Sequence, residues 1–188
     1  MKNLLSILAV MAIAVVSQAA TVKWSIGGSA TYVMNDYLGN PYANQKVYLI
    51  NANDVSSLTN PTQDKDTFLS NLANLTIFEA TSASDGTKPT TVNNLEVSSS
   101  TLMEADTQMT FAALVFSEDS EFGYYKLMTV NATPYADTAP ATARTANVRT
   151  AWNTIGGKSW TKAYAVPEPS TAMLALAGLA LLLKRRRA

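Results

Sequence analysis

A mainly β domain carrying one amphipathic helix is the architecture this chain of 188 residues specifies. Short β-branched and aromatic runs recur between clusters of turn-forming residues, six to eight of them by pattern. One of these, Met109 to Phe116 (MTFAALVF), is a continuous apolar run but for Thr110, as suits a strand covered on both faces. A single stretch of the domain, Thr62 to Leu75, has a clear helical period. These features favour a small antiparallel sandwich or barrel with one helix, with α+β as the alternative. The flanks add an N-terminal signal helix and a short C-terminal transmembrane helix.

The first element is the signal segment, residues 1–19. Lys2 supplies a positive start, and Leu4 to Val16 is an apolar run interrupted by Ser6. Ser17-Gln18-Ala19 then places small residues where a signal peptidase reads them. Cleavage is expected after Ala19, with Ala20 as the alternative, and export implies the Sec machinery and signal peptidase as partners.

The domain begins with an alternating strand, Val22, Trp24 and Ile26 against Lys23 and Ser25, ending at Gly27-Gly28. Ala30 to Met34 (ATYVM) follows at hairpin distance, and Asn35 to Tyr42 (NDYLGNPY) has the composition of a turn or loop. Lys46 to Ile50 (KVYLI) is expected as a central strand. In the helix, Phe68, Leu69, Leu72 and Leu75 share a face, and Asp64 and Asp66 suit its N-cap and first turn. Leu75 to Ala80 is the next strand, and Thr81 to Thr91 a polar loop. Met109 to Phe116 and Tyr124 to Ala132 pair across the charged turn Ser117 to Gly123. Thr133 to Asn147 is a long loop rich in Ala, Thr and Pro, dividing the β-rich part, 20–132, from 148–165. In the latter, Trp152 and Trp160 flank Gly156-Gly157 as a terminal hairpin.

Composition narrows the chemistry. Residues 20–165 keep nine basic and thirteen acidic residues, a net charge of about −4 without a basic patch, which argues against nucleic acid as a partner. The chain contains no cysteine and no histidine. Disulfides, thiolate zinc, imidazole metal sites and His-dependent triads are therefore excluded. Glu79, Glu96, Glu104, Glu118 and Glu121 include no pair tied by a motif, so no enzyme is expected. Asp64-Lys65-Asp66 and Glu118 to Glu121 gather oxygen ligands but lack the EF-hand pattern; capping and a polar turn explain them better. No metal or cofactor is expected. Trp24, Trp152 and Trp160 could stack on a glycan, although burial in the core is the stronger reading of such residues. Asn74-Leu75-Thr76 and Asn131-Ala132-Thr133 match the glycosylation sequon, the second weakened by Pro134.

The C-terminal segment, 166–188, reads VPEPSTAMLALAGLALLLKRRRA. Its apolar run, Ala172 to Leu183, has 12 residues. As a helix it would reach about 18 Å, against about 30 Å of hydrocarbon core. Extension backwards meets Pro169, Glu168 and Pro167, which a membrane helix tolerates poorly. Lys184, Arg185, Arg186 and Arg187 would stop transfer and stay on the cytoplasmic side, leaving the domain outside. A lipid-anchor signal would end in the apolar run rather than in basic residues. The Pro167-Glu168-Pro169 motif, the short apolar run and the arginine-rich end resemble the bacterial PEP-CTERM sorting signal, over about 23 of the 188 residues. That resemblance implies recognition of Pro-Glu-Pro by an exosortase, a membrane-embedded transpeptidase-like enzyme. It also implies transient residence in the membrane, processing near the motif, and delivery to the envelope, surface or extracellular matrix of a Gram-negative exopolysaccharide producer. The expected role of the domain is structural or adhesive; the alternative is a carbohydrate-binding module for exopolysaccharide or host glycans.

Overall fold

The computed structural model describes residues 18–165, apart from 30, 54, 61, 120 and 121. Its strands, in chain order, are β1 (Ala20–Gly27), β2 (Lys46–Asn51), β3 (Thr76–Thr81), β4 (Leu95–Ser99), β5 (Met109–Glu118), β6 (Phe122–Ala132), β7 (Tyr135–Ala136), β8 (Asn147–Ala151) and β9 (Thr161–Ala165). Helix α1 (Lys65–Leu75) lies between β2 and β3, and the short α2 (Trp152–Gly156) between β8 and β9.

Five strands form an antiparallel sheet in the order β3-β2-β5-β6-β9. The smaller sheet is centred on β1, with β4 on one edge and both β7 and β8 on the other. Its β1–β8 pair is parallel, the exception to an otherwise antiparallel fold. The two sheets make a sandwich rather than a closed barrel, and α1 adds a third layer on the outer face of the larger sheet.

Side-chain alternation explains the layering. From β1, Val22, Trp24 and Ile26 face the inter-sheet core, where they meet Val47 and Leu49 of β2 and Phe111, Ala113 and Val115 of β5. The intervening residues Ile50, Ala112 and Leu114 point the other way and join Phe68, Leu72 and Leu75 of α1 in a second core. The apolar residues of β5 thus serve two cores at once. Burying each of the three helix side chains stabilises the layer by roughly 1.5–3 kcal/mol. Asp64 starts the helix by accepting a hydrogen bond from Thr67 N at 2.7 Å, and Asp66 occupies the first turn.

Two expectations are corrected. The stretch Thr31–Met34 is not a strand: Gly28 has φ 104°, which turns the chain away from β1. Met34 is instead fully buried in a loop, with its N–H donating to Gly86 O at 3.2 Å and its carbonyl accepting from Tyr42 N at 2.8 Å. Residues 148–165 are not a hairpin either. Trp152 and Ile155, three apart, are both buried on α2, and this turn carries the chain from one sheet to the other. β8 therefore pairs with β1 while β9 pairs with β6. The signal helix and the C-terminal membrane helix lie outside the described residues; among those described, no helix is long and apolar enough to cross a membrane.

Candidate functional site

The end of the larger sheet from which the C-terminal segment departs is built from β5, β6 and β9. β9 lies at the sheet's edge, with Ala165 opposite Phe122 and Tyr164 opposite Gly123. The register then shifts, so that Tyr124 faces Lys162. Gly123 permits this arrangement because a Cβ there would overlap the Tyr164 ring lying across it. The Tyr164 hydroxyl donates to Glu118 Oε2 at 2.8 Å, and Lys65 Nζ from α1 lies 2.6 Å from the same oxygen. Burial and the Glu118 carboxylate both push the Tyr164 hydroxyl pKa upwards. Ala163 and Tyr164 have no exposed surface, so the fold grips the chain up to Ala165.

The loop around residues 35–41 closes over this end through an isolated bridge between Asn35 and Pro41. Asp36 Oδ1 accepts from Asn40 N at 2.8 Å, and Gly39 turns the chain with φ 89°. Tyr37 lies flat on Tyr124, with ring centroids 3.5 Å apart and planes inclined by 8°. Phe122 meets Tyr124 edge-on, and Lys162 Nζ sits 3.4 Å from the Phe122 ring centroid. Tyr37 is 40% exposed and Leu38, at the tip, 68%. Sequence reasoning missed this cluster, because NDYLGNPY carries the composition of a turn. The available signal was an aromatic–aliphatic pair, Tyr37-Leu38, placed where turns are normally polar.

The three tryptophans do not form one platform. Trp24 and Trp152 are fully buried; their indole N–H groups donate to Thr150 Oγ1 at 3.2 Å and to Gly86 O at 3.3 Å. A sugar needs an exposed ring face, and neither offers one. Trp160 is partly buried, with Lys126 Nζ 4.6 Å from its ring centroid and donating to Gly156 O at 2.7 Å. Of the two oxygen-rich runs, Asp64 caps α1, Glu118 pairs with Lys65, and Asp119 Oδ1 accepts from Phe122 N at 2.7 Å. A cleft of about 320 Å³ between α1 and the β2–β3 pair is lined by Tyr48, Leu69, Leu72, Ala73, Thr76 and Glu79.

Ala19 is half-buried, its carbonyl accepting from Asp137 N at 3.0 Å, and Ala20 opens β1 fully buried between Ser99 and Ala136. Cleavage after Ala19 would leave β1 whole, whereas cleavage after Ala20 would take its first residue. Pro167, Glu168, Pro169 and the basic group Lys184 to Arg187 lie outside the described residues.

Comparison with protein families matches residues 165–188 to the PEP-CTERM protein-sorting motif. The chain carries a PEP-CTERM signal. Its match starts at Ala165, the last residue of β9, so the PEP-CTERM segment follows the sandwich without a spacer. The PEP-CTERM motif implies sorting by an exosortase, export, and residence in the cell envelope or at the surface. No curated protein and no solved structure matches the chain.

Proposed function

We propose that the sandwich is a structural or adhesive module that an exosortase delivers to the cell surface or the extracellular matrix. In this reading Pro167, Glu168 and Pro169 are substrate for another enzyme, and the domain acts by contact rather than by turnover. The observation that carries the delivery is the PEP-CTERM match over residues 165–188, which begins at the last residue of β9. Cysteine-free packing in three layers suits a protein that must persist outside the cytoplasm without disulfides. The terminal strands β3 and β9 end the larger sheet, and such edges are ready contacts for other chains. The tail is held in the membrane only until it is processed, which suits its short apolar run.

The alternative, a module binding exopolysaccharide or host glycans, draws support from Trp160, which keeps part of its surface exposed. Analytical ultracentrifugation and polysaccharide pull-down on the same purified chain separate the two. The structural reading predicts self-association and no polysaccharide retention. Retention that disappears in Trp160→Ala, without self-association, would replace it with the glycan reading.

A further inference from the structure

The Tyr37-Leu38 loop and the chain exit at Ala165 share one end of the sandwich, where Tyr37 stacks on Tyr124, Ala165 lies opposite Phe122, and Leu38 is largely exposed. Six residues, Val166 to Thr171, separate Ala165 from the start of the apolar run. Fully extended, they span about 20 Å. While the tail resides in the membrane, as the proposed function requires, this end of the domain is held within that distance of the lipid surface. We infer that the loop carrying Tyr37 and Leu38, backed by Tyr124, Phe122 and Lys162, rests on the phospholipid surface in the unprocessed chain.

The side chains suit that occupant. Tyr and Leu at an exposed tip match the polarity step of a bilayer interface, the aromatic at headgroup level and the aliphatic below it. Stacking on Tyr124 fixes Tyr37 in place before contact, which lowers the ordering cost of docking. The Lys162 ammonium over Phe122 can meet lipid phosphate. Of the nearby carboxylates, Glu118 is offset by Lys65, whereas Asp36 and Asp119 accept from Asn40 N and Phe122 N and keep their charge, so the contact rests on the Tyr37-Leu38 tip more than on charge. Two side chains would bind lipid weakly in free solution. The six-residue tether makes the contact intramolecular, at an effective concentration in the millimolar range, where a weak contact is populated. Processing of the tail then removes the tether and releases the face.

The absence of cysteine permits a single environment-sensitive fluorophore at any chosen position. Leu38→Cys carries the probe at the loop. Gln108→Cys, exposed beside Met109 at the far end of β5, is the distal control, and Ala177→Cys reports the tail. The full chain is reconstituted into phosphatidylethanolamine–phosphatidylglycerol vesicles with and without spin-labelled lipid. Expected results are a blue shift and lipid-dependent loss of emission at Leu38 and Ala177, with no change at Gln108. Quenching at Ala177 without quenching at Leu38 would overturn the inference and leave the tail reading intact. No quenching at Ala177 would overturn both. A Leu38 probe that answers added soluble polysaccharide but not lipid would reassign the loop to glycan.

Discussion

Trp24 and Trp152 are among the largest side chains with no exposed surface, and each spends its single polar atom on a hydrogen bond inside the domain. Their work is to fill the space between the sheets. Trp24→Ala should therefore cost about 3–5 kcal/mol of stability, the usual range for truncating a core aromatic. Trp160→Ala, at a half-buried position, should cost clearly less. Urea unfolding of the two variants checks the order, and equal losses would show that the indoles are equivalent. Reading aromatics as core by default suited Trp24 and Trp152, because residue type alone carries that tendency. Nothing in the local sequence separates Trp160 from them. Its partial burial, against the inter-sheet core and under Lys126 from β6, is set by tertiary structure.

Among the elements, α1 shows how far local pattern reaches. Phe68, Leu72 and Leu75 are buried as their spacing requires, while Leu69, on the margin of that face, remains 37% exposed. The Asp64 cap is testable by pH. Its hydrogen bonds from Thr67 hold the carboxyl pKa below the usual 3.8. A depressed folded-state value means that the stabilisation is present above the unfolded pKa and lost as pH falls through the folded one. Asp64→Ala should lower the thermal midpoint at neutral pH, and the deficit should close at acidic pH below the folded value. Asp64→Asn, which retains a capping oxygen, should lose less at neutral pH. A deficit independent of pH would contradict the capping role. By contrast, β4 and β8 escaped the sequence reading. Each has five residues, and only one side of each is buried, through Val97 and through Val148 and Thr150. Runs so short and polar resemble loops until a partner strand is known, and the partner β1 lies far away in sequence. The parallel β1–β8 pairing is invisible for the same reason. The hairpin expected around Gly156-Gly157 failed because a buried Trp152–Ile155 pair favours a helical turn over a tight reversal.

For the whole molecule, the sorting signal and the domain are legible to very different degrees. PEP-CTERM recognition depends on a contiguous segment, so Pro167-Glu168-Pro169, the apolar run and the basic end are read directly from the chain. An aromatic cluster such as that of Tyr37, Phe122 and Tyr124 joins two segments far apart in sequence and exists only after folding. The two parts adjoin in sequence: the motif's match begins at Ala165, the last residue of β9. Residues 163–164 are locked in the sheet, so processing that spares the sandwich must fall beyond them. The most direct test is the intact mass of the protein recovered from the envelope and the medium of cells that carry the exosortase. The account predicts a chain that has lost the apolar run and Lys184 to Arg187, and keeps all of β9, with loss of this shortening when Pro167, Glu168 and Pro169 are replaced by alanine. A mature chain still ending at Ala188 would contradict it.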